Sequence, residues 1–181
     1  MFHMPGRCVD PDLAQAACMH LGWSGDVVGP VTFSGLTFWT VYDVVLDEHV
    51  RRRERGVGAV TDRDVLLELL RKGRMDGTSQ SVRPPLRLVG CLVPGRGRDA
   101  LAQASMLAGY APRAVLVPDQ DDMVELLLDA ALLDQGVVTY SGRTVTALSQ
   151  AGPKVPGLGF DAREWQLLET VYTLHVATVA A

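Results

Sequence analysis

The chain is 181 residues long, 48% hydrophobic and 21% charged, with a net charge of −4. Such a chain holds one domain or two small ones and enough apolar mass for a core, which excludes wholesale disorder, and the acidic balance argues against a strongly basic nucleic-acid binder. Three scattered cysteines, Cys8, Cys18 and Cys91, exclude a disulfide framework, and no apolar run reaches membrane-spanning length.

Asp10-Pro11-Asp12 reads as an N-cap, a proline at the first helical position and an acidic first turn. A helix is expected through Leu13, Ala16, Ala17 and Leu21, stopping at Gly22. Trp23 to Gly35 is rich in turn formers and leaves room for a short strand over Val31–Phe33. Leu36 to Val50 fits a helical face through Phe38, Val41, Val45 and His49, while Phe38–Tyr42 has the composition of a strand. The absence of a turn signal before Gly56 favours the helix, with Arg51, Arg52, Arg53 and Arg55 in its last turn. Thr61-x-x-Asp64 resembles a capping box, opening a helix through Val65, Leu66, Leu69 and Leu70 that ends near Gly73. Met75 to Pro85 has the Gly, Ser and Pro content of a linker.

The pattern then changes. Leu86 to Val93 is a near-continuous apolar run, as in a strand buried on both faces. Arg98–Ala108 reads as a helix, Ala114–Val117 as a second buried strand, and Asp119–Asp134 as a strong helix. Gly136–Tyr140 and Arg143–Leu148 flank Ser141-Gly142 as a hairpin. Asp161-x-x-Glu164 starts a last helix through Trp165, Leu168 and Tyr172, with a terminal strand over Thr170–Val179 as the alternative. The order β-α-β-α-β-β implies an α/β class, α+β overall, with a partly parallel sheet. The expected organisation is a mainly helical part over residues 1–76, a linker at 77–85 and an α/β part over 86–181, the two parts free to share one core.

Gly95-Arg96-Gly97-Arg98-Asp99-Ala100 follows a strand and opens a helix, the context of a dinucleotide-binding loop. Gly95, Gly97 and Ala100 would let the backbone approach a pyrophosphate, and Asp119, just past the next strand, would meet a ribose hydroxyl. Pro94 at the turn and Asp99 beside the phosphate position weigh against it. A glycine-rich loop that merely connects strand to helix is the simpler reading. Asp119, Asp121 and Asp122 have the oxygen chemistry for Mg²⁺, yet they equally complement a helix N-terminus without any ion. Cys8, Cys18 and His20 lack the paired spacing of a zinc site and read as core residues. His49 and His175 lie in apolar surroundings with no nucleophile or orienting acid close in sequence.

Charge is distributed unevenly. Lys and Arg number 17, but only Lys72 and Lys154 are lysines, and Ile and Asn are absent. This pattern follows from a GC-rich coding sequence, so arginine abundance alone says little about phosphate binding. Position says more. Arg51, Arg52, Arg53 and Arg55 form a basic stretch, and Asp121, Asp122, Glu125 and Asp129 an acidic one. The basic stretch of one copy facing the acidic helix of another makes a heterologous contact, which builds rings or filaments.

No catalytic constellation, metal set or favoured cofactor emerges. The sequence therefore points to a non-enzymatic interaction or assembly subunit, cellular or from a viral particle, whose partners are other protein subunits, foremost its own copies, with no membrane. The expected location is the cytoplasm or a particle assembled there. One alternative is a small nucleotide-binding protein or enzyme using the Gly95 loop. A second is a DNA-binding regulator, because Leu132–Val138 followed by a hairpin with Arg143 at its tip resembles the helix-then-wing end of a winged helix.

Overall fold

A computed structural model describes residues 9–75, 83–119, 123–155 and 161–179. Helix α1 (Pro11–His20) begins as its sequence dictates, with the Asp10 carboxylate accepting from the Asp12 N–H at 3.1 Å. Strands β1 (Asp26–Phe33) and β2 (Leu36–Val44) follow as an antiparallel hairpin. Helices α2 (Leu46–Arg55) and α3 (Arg63–Met75) lead to β3 (Leu86–Pro94). Next come α4 (Gly97–Ser105), β4 (Arg113–Pro118), α5 (Met123–Leu132), β5 (Gly136–Ser141), β6 (Thr144–Ser149) and α6 (Ala162–Val179).

The six strands form one mixed sheet in chain order, β1 to β6. β3, β4 and β5 are parallel, with α4 and α5 as the crossovers, and β6 returns antiparallel on β5. This is the βαβαββ layer expected from the sequence. The part expected to be mainly helical departs from expectation, because β1 and β2 extend the same sheet and β2 pairs with β3. Much of the linker expected over 77–85 falls outside the described residues.

The departure has a physical cause. β2 is an interior strand covered on both faces, with Phe38, Trp39, Thr40, Val41 and Tyr42 all buried. Such a strand shows no polar alternation, so its apolar residues mimic a helical face by chance. The turn that makes the hairpin is Ser34-Gly35, both at positive φ (51° and 80°), the two-residue geometry whose twist matches paired strands. At its other end the chain resolves as helix: α6 continues through Val179, where a strand was the alternative. The capping residue of α3 is Asp62 rather than Thr61, its carboxylate accepting from the N–H groups of Asp64 at 2.8 Å and Val65 at 3.2 Å.

Helices cover both faces of the sheet. On one face α4, α5 and α6 bury Leu101, Leu126, Leu167 and Val171 against Phe38, Val93, Val115, Val117 and Val137. On the other, α1 packs Ala14, Ala17, Cys18 and Leu21 against Trp39, Leu92, Leu116 and Val138. Leu66 of α3 meets Ala162 and Trp165 at the start of α6. α3 is thereby held beside α6, which lies over β1 and β3, while α5 packs on β5 and α4.

Candidate functional site

Helices α5 and α2 present exposed apolar side chains to solvent. α5 is apolar on both sides. Leu126 and Ala130 face the core, while Val124, Leu128 and Leu132, spaced four residues apart, are 70%, 62% and 84% exposed. Four-residue spacing aligns these three side chains along one outer stripe. Glu125 and Asp129 flank it, and both pair with Arg98 of α4, at 3.3 and 2.5 Å. Asp121 and Asp122, the other two acids expected here, lie outside the described residues.

α2 carries the second stripe. Leu46 and Val50 are 71% and 49% exposed, and Arg53 follows at the next turn of the same face. Arg55 is exposed at the helix end, and Arg51 pairs with Glu48. Arg52 is different: it is buried and turned inward. Its guanidinium makes a bidentate pair with Glu169 of α6, both bonds at 2.8 Å, and its Nε donates to Glu48 at 3.0 Å. Of the four arginines of the basic stretch, three are thus on the outside and one is internal.

The chain matches no family model, no curated protein and no solved structure. Its site must be read from its own geometry.

The Gly95 loop joins β3 to α4 as the sequence suggests, but local packing accounts for its composition. A Cβ at Gly95 would sit 2.8 Å from the Ala100 Cβ, so glycine is what lets the first turn of α4 fold back on the strand end. Gly97 has φ +51°. Arg98 reaches across to α5 rather than over the loop, and Asp99 occupies the first helical turn. Asp119 is exposed, its N–H donating to the Tyr140 carbonyl at 2.9 Å. The segment of the winged-helix alternative is the end of α5 and the β5–β6 hairpin, with β5 paired to β4 inside the sheet. Cys18 and Cys91 are buried, and burial pushes both thiols up to about 12, so neither is a nucleophile at neutral pH. Among the described residues, no group of three or more His, Cys, Asp or Glu side chains is arranged to hold a metal, and no helix is long and apolar enough to cross a membrane.

The structure also assembles a polar cluster that sequence reasoning missed. Glu169 is fully buried and accepts from both Arg52 Nη atoms, the Val60 N–H at 2.9 Å and Trp165 Nε1 at 2.8 Å. Burial disfavours the Arg52 charge, but its hydrogen bonds and charge pairing with Glu169, then Glu48, override that and raise its pKa. One turn further along α6, the Tyr172 hydroxyl bonds His49 Nδ1 of α2 at 3.0 Å, and His175 Nδ1 bonds the Tyr42 hydroxyl of β2 at 3.0 Å. The two imidazoles meet edge to face, 5.5 Å between centroids. Burial first, and the His49 charge second, lower the His175 pKa, with Asp26 acting in the opposite sense. The sequence signal was present in the spacing Trp165, Glu169, Tyr172 and His175, which puts one acid among aromatics on a single helical face. Nothing in sequence tied that face to α2.

Proposed function

We propose that the chain is a non-enzymatic assembly subunit whose copies join head to tail, the outer face of α2 on one copy against the outer face of α5 on the next. The observation that carries this reading is the exposed stripe Val124, Leu128 and Leu132. Covering such a side chain is worth about 1.5–3 kcal/mol, and a contiguous exposed apolar stripe with a polar rim marks an interaction surface. The partner face is argued from charge. Glu125 and Asp129 rim the α5 stripe, and Arg53 lies in the α2 stripe with Arg55 beside it.

Exposed ion pairs of the Arg98 kind are weak and exchange readily, so the acids remain available to a partner. The two faces lie on different elements. Their contact is therefore heterologous, closing into a ring or extending as a filament. This reading asks less of the Gly95 loop than the nucleotide alternative, whose second arginine is turned towards α5.

Complementary variants test it. Leu128→Lys with Leu132→Lys blocks the α5 face, and Val50→Asp with Arg53→Asp blocks the α2 face. Each variant alone is expected to be monomeric by light scattering. Mixed one to one, they retain one intact pair of faces and form a dimer that grows no further. Monomers in the mixture, or an oligomer in either variant alone, would refute the head-to-tail arrangement.

A further inference from the structure

We propose that the two crossed pairs His49–Tyr172 and His175–Tyr42 form an acid-sensitive latch that works beside the Arg52–Glu169 pair to hold α2 against α6 and the sheet, and whose protonation weakens that hold. The geometry is specific to this place. Each imidazole bonds a phenol from a different element, so the pairs tie α2 to α6 and α6 to β2, and the rings interlock: Tyr172 stacks on His175 at 6.0 Å, and His175 lies 5.6 Å from Tyr42. While both imidazoles are neutral, either tautomer satisfies the bond, because a phenol oxygen both donates and accepts. A protonated ring makes Nδ1 a donor only. The phenol must then turn its own proton elsewhere, and among the described residues neither Tyr42 nor Tyr172 has another hydrogen-bond partner.

The surrounding charges resist a second proton. From α2 the cluster faces Glu48, Arg52 and Arg53, from α6 Glu169, and from β1 Asp26. Glu48 and Glu169 are already committed to Arg51 and Arg52. That leaves Asp26 as the one carboxylate to offset two imidazolium ions, with Arg53 nearby and the Arg52 guanidinium 5.5 Å from the Tyr172 ring centre. The Arg87–Asp43 pair of β3 and β2 sits one residue along from Tyr42 and hence on the opposite face. α3 meets α6 at Ala162 and Trp165, about 15 Å along the helix from His175. Acid therefore places two like charges 5.5 Å apart at the joint between α2 and the body. α2 also carries Leu46, Val50 and Arg53, so a weakened hold on it destabilises one of the two docking faces. This last consequence rests on the assembly reading above.

Hydrogen exchange of the full chain at pH 7.5 and 5.5, corrected for intrinsic rates, tests the latch, with native mass recorded at both pH values. The α2 amides are expected to lose protection about tenfold in acid, while β3 and β4 amides keep theirs. In the His49→Gln, His175→Gln double variant the loss is expected to disappear. Equal α2 protection at both pH values in the unmodified protein overturns the latch, as does an unchanged loss in the double variant. Should that variant not fold, imidazole NMR titration of the unmodified protein decides. A His175 titration displaced below the ordinary imidazole range is expected, and an ordinary one overturns it. If α2 opens in acid but the chain is monomeric throughout, the latch stands and the assembly reading falls.

Discussion

Replacing Glu169 by Gln perturbs the most heavily bonded side chain of the buried cluster. The carboxylate accepts four hydrogen bonds, two from Arg52 and one each from Val60 and Trp165. Glutamine keeps the shape but turns an amide NH₂ towards a guanidinium that offers only donors, and it leaves Arg52 with Glu48 alone. Removing one partner of a buried ion pair costs about 3–5 kcal/mol, and the lower end applies here because Arg52 keeps its bond to Glu48. With a urea dependence of about 2 kcal/mol per molar, the unfolding midpoint should fall by about 1.5 M or more.

The pair Arg52→Met, Glu169→Leu is the control. It removes both charges but takes the acceptor from the Val60 N–H, about 1–3 kcal/mol, and leaves Glu48 with Arg51 alone. It should be less costly than the sum of the single replacements by about 1–3 kcal/mol. Urea unfolding followed by tryptophan fluorescence reads the unmodified protein, Glu169→Gln, the single replacements Arg52→Met and Glu169→Leu, and their double. A Glu169→Gln midpoint unchanged within error, or strictly additive single replacements, would refute the claim that this pair clamps α2 to α6.

Other outcomes follow from the same structure. Asp62→Ala removes the carboxylate that caps α3 and should cost about 0.5–2 kcal/mol in thermal unfolding. Gly95→Ala forces a Cβ to within 2.8 Å of Ala100 and should cost about 1–3 kcal/mol by overpacking, with no ligand present. Arg98→Ala should leave the urea midpoint unchanged within error, since its partners lie on an exposed surface. His175 has a folded pKa below the ordinary 6.5, so the unfolded chain takes up its proton first. Stability should then be flat above about pH 7.5 and fall as pH drops below about 6.5 towards the folded value, a loss that His175→Gln should abolish in pH-dependent urea titrations.

The βαβαββ layer was legible because each of its elements carries a local signal: apolar runs in β3 and β4, a Ser141-Gly142 turn, and acids at helix starts. The β1–β2 hairpin was not. Its diagnostic residues are only Ser34-Gly35, and β2 is buried on both faces, so the period-2 alternation that distinguishes strand from helix is missing. The site divides similarly. The acidic side of α5 and the basic end of α2 could be read directly. The outer position of Leu128 and Leu132 could not, because α5 is leucine-rich all round and the side that meets the core is set by packing on β5. The Arg52–Glu169 pair joins residues 117 apart in the chain, a separation that only the fold closes.

Native mass spectrometry of the unmodified protein at low and moderate salt tests the central claim most directly. The account predicts a defined, ligand-free oligomer that shifts towards monomer as salt screens the Arg53 and Arg55 faces from Glu125 and Asp129. A bare monomer at every concentration and salt, or a monomer that carries a nucleotide-sized adduct, would contradict it.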